Sequence, residues 1–176
     1  LALALANAQA GPREQAKRMH DRLAGVPPDA STLDAMAADI SGGDPQAAAE
    51  RAVEHPDFYN VTLKNWATPW SNRAGDVFAP LNDFTATIIG MIRDDVDFRR
   101  VLYGDILYVG NNSPAYSNTD NAHYEALADS SADLDTALRQ RAQSSVTGIP
   151  ANATAGVMTS RAAAKARAWV RGSESS

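Results

Sequence analysis

Glycine and proline divide the first third of this chain into short segments, and this punctuation constrains the fold more than any other feature. Apolar residues recur at helical spacing up to Leu23, after which Gly25, Pro27 and Pro28 interrupt the pattern. Glycine readily adopts the left-handed conformation that ends a helix, and proline cannot continue one. The pattern therefore predicts several short helices rather than a long one.

The second and third helices are predicted from their caps. The second is expected to start near Ser31, whose hydroxyl would cap it, with Asp34 three positions later as a variant of the capping box. Two glycines at 42–43 end this helix. Asp44 and Pro45 then supply the N-cap and the first position of the third helix.

A fourth helix is predicted between two prolines. Pro56 is expected to end the third helix and Asp57 to cap the fourth, in which Tyr59, Leu63 and Trp66 share one face. The segment "TPW" closes it.

The middle of the chain is predicted to hold its most hydrophobic helix, over 81–92. Gly90 within this helix indicates close packing by a neighbouring helix. A further helix is expected over 98–106, with Asp97 as its cap. A strand through "VLYGDILYV" is the competing interpretation, because β-branched and aromatic residues cluster there.

Residues 110–122 form a polar loop rich in Asn, Ser and Asp, and two weaker helices are predicted near 122–129 and 132–143. The predicted fold class is therefore all-α (mainly helical): an irregular multi-helix bundle of short helices with long polar loops. We expect a helical domain over 11–110, a loop and helical extension over 111–150, and a helical or disordered, truncated tail over 151–176.

The first residues resemble the end of a signal peptide. "LALALANAQAGPREQ" begins with an apolar run, and Ala8, Gln9 and Ala10 form the small-x-small pattern of a cleavage site before Gly11. Residues 1–10 are therefore predicted to be a signal-peptide remnant, and the protein is expected to be exported to the periplasm or the extracellular space. No later run reaches the ~18 apolar residues of a membrane span.

Composition excludes several kinds of chemistry. The chain has 176 residues, a net charge of −5 and no cysteine. Without cysteine there is no thiolate nucleophile, disulfide, thiolate zinc site or covalent c-type haem attachment. Since no basic stripe crosses the first 150 residues, nucleic acid is not an expected partner.

The polar loop is the first candidate for a binding site, because a long loop in a compact helical domain is often functional. Its candidate ligand-binding residues are Tyr116, Asn118, Asp120, Asn121 and Tyr124. The ligand would be a glycan or another polar molecule. Calcium is a weaker option, through Asn118 and Asp120, and the spacing does not match an EF-hand. An ordinary loop rich in Asx turns is the alternative interpretation.

Trp66 and Trp70 flank Thr68 and Pro69, and they complete the candidate ligand-binding set. An exposed tryptophan pair could stack on a carbohydrate or on the edge of a cofactor. The competing interpretation, which the sequence favours, is that both rings anchor the core at a helix end.

The titratable residues form no catalytic or metal-binding pattern. His20, His55 and His123 lack partners at metal-ligand spacing, so they are predicted to be isolated surface histidines. The aspartates of "RDDVD" are explained by a helix exit followed by an N-cap. No hydrolase, nucleotide-binding or metalloprotease motif occurs, so the sequence favours a non-catalytic function. Hydrolysis through Asp94, Asp95 or His123 is the lowest-ranked alternative.

Two stretches resemble a known family, the uncharacterised helical domains of planctomycete type that are associated with cytochromes in large exported bacterial proteins. The resemblance covers roughly residues 15–110 and runs through "RLAGVPPDASTLDAMAADI", "AAAERAVEHPDFYNVTLKNW" and "NDFTATIIGMIRDDVDFRRVLYGDILYVG". The matching residues are Arg22, Leu23, Gly25, Pro27, Pro28, Arg51, Val53, Pro56, Phe58, Trp66, Asp97, Phe98, Val101 and Leu102.

The resemblance implies a non-catalytic scaffold or docking module of a larger exported, cytochrome-associated protein. The implied partner is a downstream haem-bearing or substrate-bearing domain of the same or a partner protein, and "TAGVMTSRAA" is similar to the start of such a domain. The chain departs from the pattern because it has no C-x-x-C-H site. No cofactor is therefore expected in this chain.

Overall fold

The computed structural model describes residues 10–148, and these are mainly helical. The predicted fold class is confirmed. The predictions for the signal-peptide remnant and for the tail at 151–176 lie outside the described residues. The contacts divide the chain between Thr62 and Leu63 into two compact units. Within residues 10–148, no helix combines the length and apolar character that crossing a membrane requires.

The first unit contains three helices joined by tight connections. They are α1 (Pro12–Leu23), α2 (Ala30–Ser41) and α3 (Pro45–Val53). Its core is made by Ala16 of α1, Met36 of α2, and Ala48 and Ala52 of α3, all of them fully buried. Three of these four side chains are methyl groups, so the helix axes can approach closely around the single long side chain of Met36.

The helix ends and caps of the first unit are those predicted from the sequence, with one correction. Gly25 has φ +78° and follows the end of α1, as predicted. Asp44 caps α3 by accepting the Ala47 N–H at 2.9 Å, also as predicted. The cap of α2, however, is Asp29 and not Ser31.

Asp29 accepts both the Thr32 N–H at 2.8 Å and the Ser31 hydroxyl at 2.6 Å. These two bonds lower the pKa of Asp29 to about 2. Ser31 is the wrong cap because the helix begins two residues earlier than predicted, at Ala30. There the Asp29 carboxylate accepts the N–H of the third helical residue and takes the Ser31 hydroxyl as a second donor.

The segment after α3 is helical, but it is wound in three different ways. A π-helical segment (Phe58–Leu63) precedes α4 (Lys64–Ala67) and a 3₁₀ turn (Thr68–Ser71). The predicted cap Asp57 is wrong, since His55 occupies that role: its Nδ1 accepts the Asp57 N–H at 3.2 Å. Pro56 therefore begins this helical segment, where its missing N–H has no cost.

The second unit combines short helices with a two-stranded sheet. Its remaining elements are α5 (Asp83–Arg93), a 3₁₀ turn (Phe98–Leu102), β1 (Leu107–Gly110), α6 (Ala122–Asp129), α7 (Leu134–Ala137), β2 (Leu138–Arg141) and α8 (Gln143–Thr147). The strands are antiparallel, with Leu107 opposite Arg141 and Gly110 opposite Leu138. Because β1 and β2 pair across the predicted boundary at 110, both sides of it belong to one unit.

Two predicted helices of this unit are partly wrong. The helix expected over 98–106 is a 3₁₀ turn that ends at Leu102, and the competing strand is correct over Leu107–Gly110. The helix expected over 132–143 stops at Ala137, where β2 begins. In both places cross-strand pairing overrides a local helical pattern, because the backbone N–H and C=O groups of one strand form hydrogen bonds with those of the other.

Close packing at Gly90 organises the second unit. A Cβ atom at this position would overlap the ring of Tyr108, which is fully buried. The predicted close approach therefore exists, but the neighbour is a strand residue rather than a helix. Around it, Ile88, Ile89 and Met91 of α5 are also fully buried.

Gly90→Ala is expected to lower the free energy of unfolding of the second unit by about 1–3 kcal/mol, because the added methyl group displaces an enclosed ring. Urea titration followed by tryptophan fluorescence measures this, since Trp66 and Trp70 both lie after Leu63. Gly42→Ala is the matched control: Gly42 has φ −74° and its added Cβ would meet only carbonyl oxygens at 3.4 Å. Equal urea concentrations at the midpoint of unfolding for the two variants would contradict the prediction.

Candidate functional site

His123 of α6, which follows the polar loop at 111–121, holds the start of that loop. Its side chain is buried, with 2% exposed. Nδ1 lies 2.8 Å from the Pro114 carbonyl oxygen, and Nε2 accepts the Gly110 N–H at 3.1 Å. Because a carbonyl oxygen can only accept, Nδ1 must carry the proton and the ring is neutral. One residue of α6 thus holds the end of β1 and the start of the loop.

The prediction that the histidines are isolated surface residues is wrong for two of the three. His123 is buried as described, and His20 is 1% exposed, with Nδ1 at 2.7 Å from the Val26 carbonyl oxygen. A neutral imidazole can be buried at low cost when its nitrogens are hydrogen-bonded. Sequence spacing does not reveal such partners.

Asparagine side chains hold the rest of the loop. Asn112 donates to the His123 carbonyl oxygen at 2.9 Å, and Asn121 donates to the Leu81 carbonyl oxygen at 2.9 Å. These bonds connect the loop to α6 and to the chain entering α5. The loop is therefore a positioned structure and not only a series of Asx turns.

Two tyrosines complete the packing beneath the loop. The Tyr116 ring lies 5.9 Å from the Tyr124 ring at 77°, and 6.2 Å from the His123 ring. The Tyr124 hydroxyl donates to the Tyr108 carbonyl oxygen at 2.8 Å. Burial and the nearby charge of Asp83 raise the pKa of Tyr116 to about 12, so its hydroxyl stays protonated at neutral pH.

An open cleft of about 320 Å³ lies against these residues. Its wall contains two tyrosine rings, three carboxylates, and small polar or apolar groups: Ser71, Ala79, Pro80, Asn82, Asp83, Tyr116, Ser117, Asp120, Asn121, Tyr124 and Glu125. The volume is at the lower end of the range for small-molecule sites, about 300–1,000 Å³. Four of the predicted residues (Tyr116, Asp120, Asn121, Tyr124) meet in this one wall.

The structure adds wall residues that the sequence reasoning missed. Ser71, Asn82, Asp83 and Glu125 all line the cleft. For Glu125 a signal exists, because it lies one helical turn after Asn121 and accepts a hydrogen bond from its amide at 3.2 Å. Ser71 and Asp83 carry no such signal, since they reach the cleft from elements distant in the chain.

Asn118 does not join the cleft. Its side chain donates to the Thr147 carbonyl oxygen at 3.2 Å, whereas Asp120 accepts the Ala122 N–H at 3.0 Å. The two residues of the calcium option are thus directed to different partners. Across residues 10–148, no group of three or more His, Cys, Asp or Glu side chains could hold a metal ion.

Trp66 and Trp70 lie outside the cleft wall and are exposed. Their side chains are 46% and 56% exposed, and the ring centroids are 4.5 Å apart with a tilt of 54°. The prediction that they anchor the core is wrong. Packing against each other leaves much of both rings at the surface, which is the geometry that the alternative interpretation requires.

The "RDDVD" aspartates have structural roles. Asp94 pairs with Arg93 through an Nε–Oδ1 distance of 2.7 Å and accepts the Tyr108 hydroxyl at 2.7 Å, and both bonds lower the pKa of Asp94. Asp97 caps the 3₁₀ turn by accepting the Arg99 N–H at 3.0 Å. The capping interpretation therefore agrees with the structure.

Fold and site together define a mainly helical protein with an open cleft of acidic and aromatic character beside an anchored loop. Comparison with protein-family models, with curated proteins and with solved structures found no match.

His123→Ala is expected to lower the free energy of unfolding of the second unit by about 2–4 kcal/mol, because a buried ring is removed and two partly buried backbone groups lose their partner. Amide hydrogen exchange should show that the Gly110 N–H loses protection. His55→Ala, in the first unit, is the control and should leave that amide unchanged. Full protection of Gly110 in the His123 variant would show that the imidazole does not anchor the loop.

Proposed function

We propose that this chain is a small-ligand-binding module whose site is the cleft beside the 111–121 loop, and that its ligand is a hydroxylated amine such as an amino sugar. The observation that carries the proposal is the cleft wall itself, in which residues from four separate parts of the chain meet around about 320 Å³.

The polar groups of the wall suit hydroxyl groups. Carboxylates accept hydrogen bonds, while asparagine and serine both donate and accept them. The Tyr116 ring is half-buried and offers an apolar surface for the C–H face of a sugar ring. A rigid wall also binds at lower entropic cost, and the bonds made by His123 and Asn121 provide this rigidity.

The charge of the wall favours a cation. Asp83, Asp120 and Glu125 contribute three carboxylates, and none of the residues in the described wall is a lysine or arginine. An ammonium group would be attracted to these carboxylates and to the face of a tyrosine ring. A phosphate or sulfate would be repelled.

The proposal predicts that glucosamine binds more tightly than glucose, by about tenfold, since a charge-assisted hydrogen bond is roughly twice as strong as a neutral one. NMR titration of labelled protein at millimolar ligand should shift the amide signals of Tyr116 and of 120–125. Glu125→Gln should remove most of the preference for the amine. Glu54→Gln, which is exposed and in the first unit, is the matched control.

Two outcomes would contradict this function. One is that neither glucosamine, glucose nor calcium shifts any signal of the cleft. The other is that the shifts lie outside the cleft and persist in Tyr116→Ala. A shift by calcium alone would instead support the weaker metal option.

A second candidate function is docking within a larger exported bacterial protein, as the family resemblance implies. The exposed pair Trp66 and Trp70 favours it, because neighbouring exposed tryptophans are enriched in protein interfaces. The proposed partner is a downstream haem-bearing or substrate-bearing domain of the same or a partner protein.

The docking function predicts a C-x-x-C-H motif in the downstream sequence and protection of the tryptophan pair by the domain encoded there. In a Trp169→Phe background, adding that domain should reduce iodide quenching of fluorescence by about half, because one face of the pair leaves solvent. Phe98→Ala, outside the pair, serves as the control. Unchanged quenching would exclude docking through this surface, and a missing motif would exclude the haem link.

A further inference from the structure

A second cleft adjoins the first within the same unit. It has a volume of about 430 Å³ and shares Ala79, Pro80 and Glu125 with the first cleft. Because the same three residues belong to both walls, the two clefts lie side by side on one face of the unit.

We propose that the two clefts are adjacent subsites of one groove, and that the ligand is a short chain of sugar units rather than a single unit. This inference rests on the proposed function, because it extends the same site. Glu125 lies at the junction, where it can contact the units on both sides.

The second cleft has the chemistry that a sugar subsite needs. Phe78 is 90% exposed and lines it, together with Lys64 and Asp129. An exposed phenyl ring offers a flat apolar surface to a sugar face, and the charged groups bind hydroxyls.

The backbone that carries the exposed ring of Phe78 is held by side chains of the segment before it. Its N–H donates to Asp76 at 2.8 Å, and the Asn72 amide donates to the Asp76 carbonyl oxygen at 2.9 Å. The same Asn72 amide donates to the Thr68 carbonyl oxygen at 2.9 Å. An exposed apolar ring on this anchored backbone, beside a cleft, is explained by a ligand better than by the core, to which Phe78 contributes nothing.

The test is isothermal titration of the full chain with glucosamine and with its β-linked dimer and tetramer. The tetramer is expected to bind at least about tenfold more tightly than glucosamine, because the second subsite acts on an already tethered unit. The threshold is tenfold because four equivalent units alone give only about a fourfold statistical gain.

Variants separate the two subsites. Phe78→Ala should weaken the tetramer by about fivefold or more and leave glucosamine unchanged, since only the longer ligand reaches the ring. Tyr116→Ala should weaken both. Phe98→Ala, 41% exposed and outside both clefts, should change neither.

The outcomes separate the extended groove from the ligand-binding function on which it rests. If glucosamine binds and the tetramer gains less than tenfold, the groove is overturned while the binding function stands. The groove is also overturned if Phe78→Ala weakens glucosamine as much as the tetramer. If no member of the series binds, the groove and its amino-sugar ligand fail together.

Discussion

The second unit depends on the contact between Gly90 and the ring of Tyr108. The absent side chain at Gly90 lets the ring lie directly on α5, and the rest of Tyr108 then bonds in three directions. Its N–H donates to Thr87 at 3.1 Å, its hydroxyl donates to Asp94 at 2.7 Å, and its carbonyl oxygen accepts the Tyr124 hydroxyl at 2.8 Å. One residue thereby connects α5, β1 and α6, which no local propensity could do.

The cleft follows from this arrangement. Because β1 is fixed on α5, the last residue of β1, Gly110, contacts the His123 ring of α6. The loop between β1 and α6 therefore starts and ends at fixed positions. The asparagines then bind the loop to its surroundings, and Tyr116 packs against His123 and Tyr124. The site is therefore positioned by neutral groups, while three carboxylates line its wall.

How far the sequence predicted the structure depended on the distance over which each signal acts. Asp44 and Gly25 were predicted correctly because a cap and a left-handed glycine act within a few residues. Ser31 failed as a cap since Asp29, equally local, was the stronger acceptor. The strand "LRQR" could not be predicted at all, because its only reason to be extended is its pairing with β1.

The candidate site shows the same difference between local signals and long-range contacts. The sequence identified the loop and Tyr116, Asp120, Asn121 and Tyr124, because a long polar loop with tyrosines is visible in the composition. It placed Trp66 and Trp70 in the same set only by residue type. Their position outside the cleft wall depends on the helical segment that contains them, which changes from π-helix to α-helix to 3₁₀ turn. The tyrosine pair shares one wall because α6 brings it back to the loop.

The sequence by itself determined a mainly helical chain of short segments, where most of these segments end, two of its four predicted N-caps (Asp44 and Asp97), and a polar loop in its second half. These features are local, because glycine, proline and Asx side chains act on the backbone within a few residues. Only the tertiary structure decided that His20 and His123 are buried, that two segments pair as strands, and which loop residues face a cleft. Those outcomes depend on contacts between residues far apart in the chain, which burial and pairing create together and no short segment encodes.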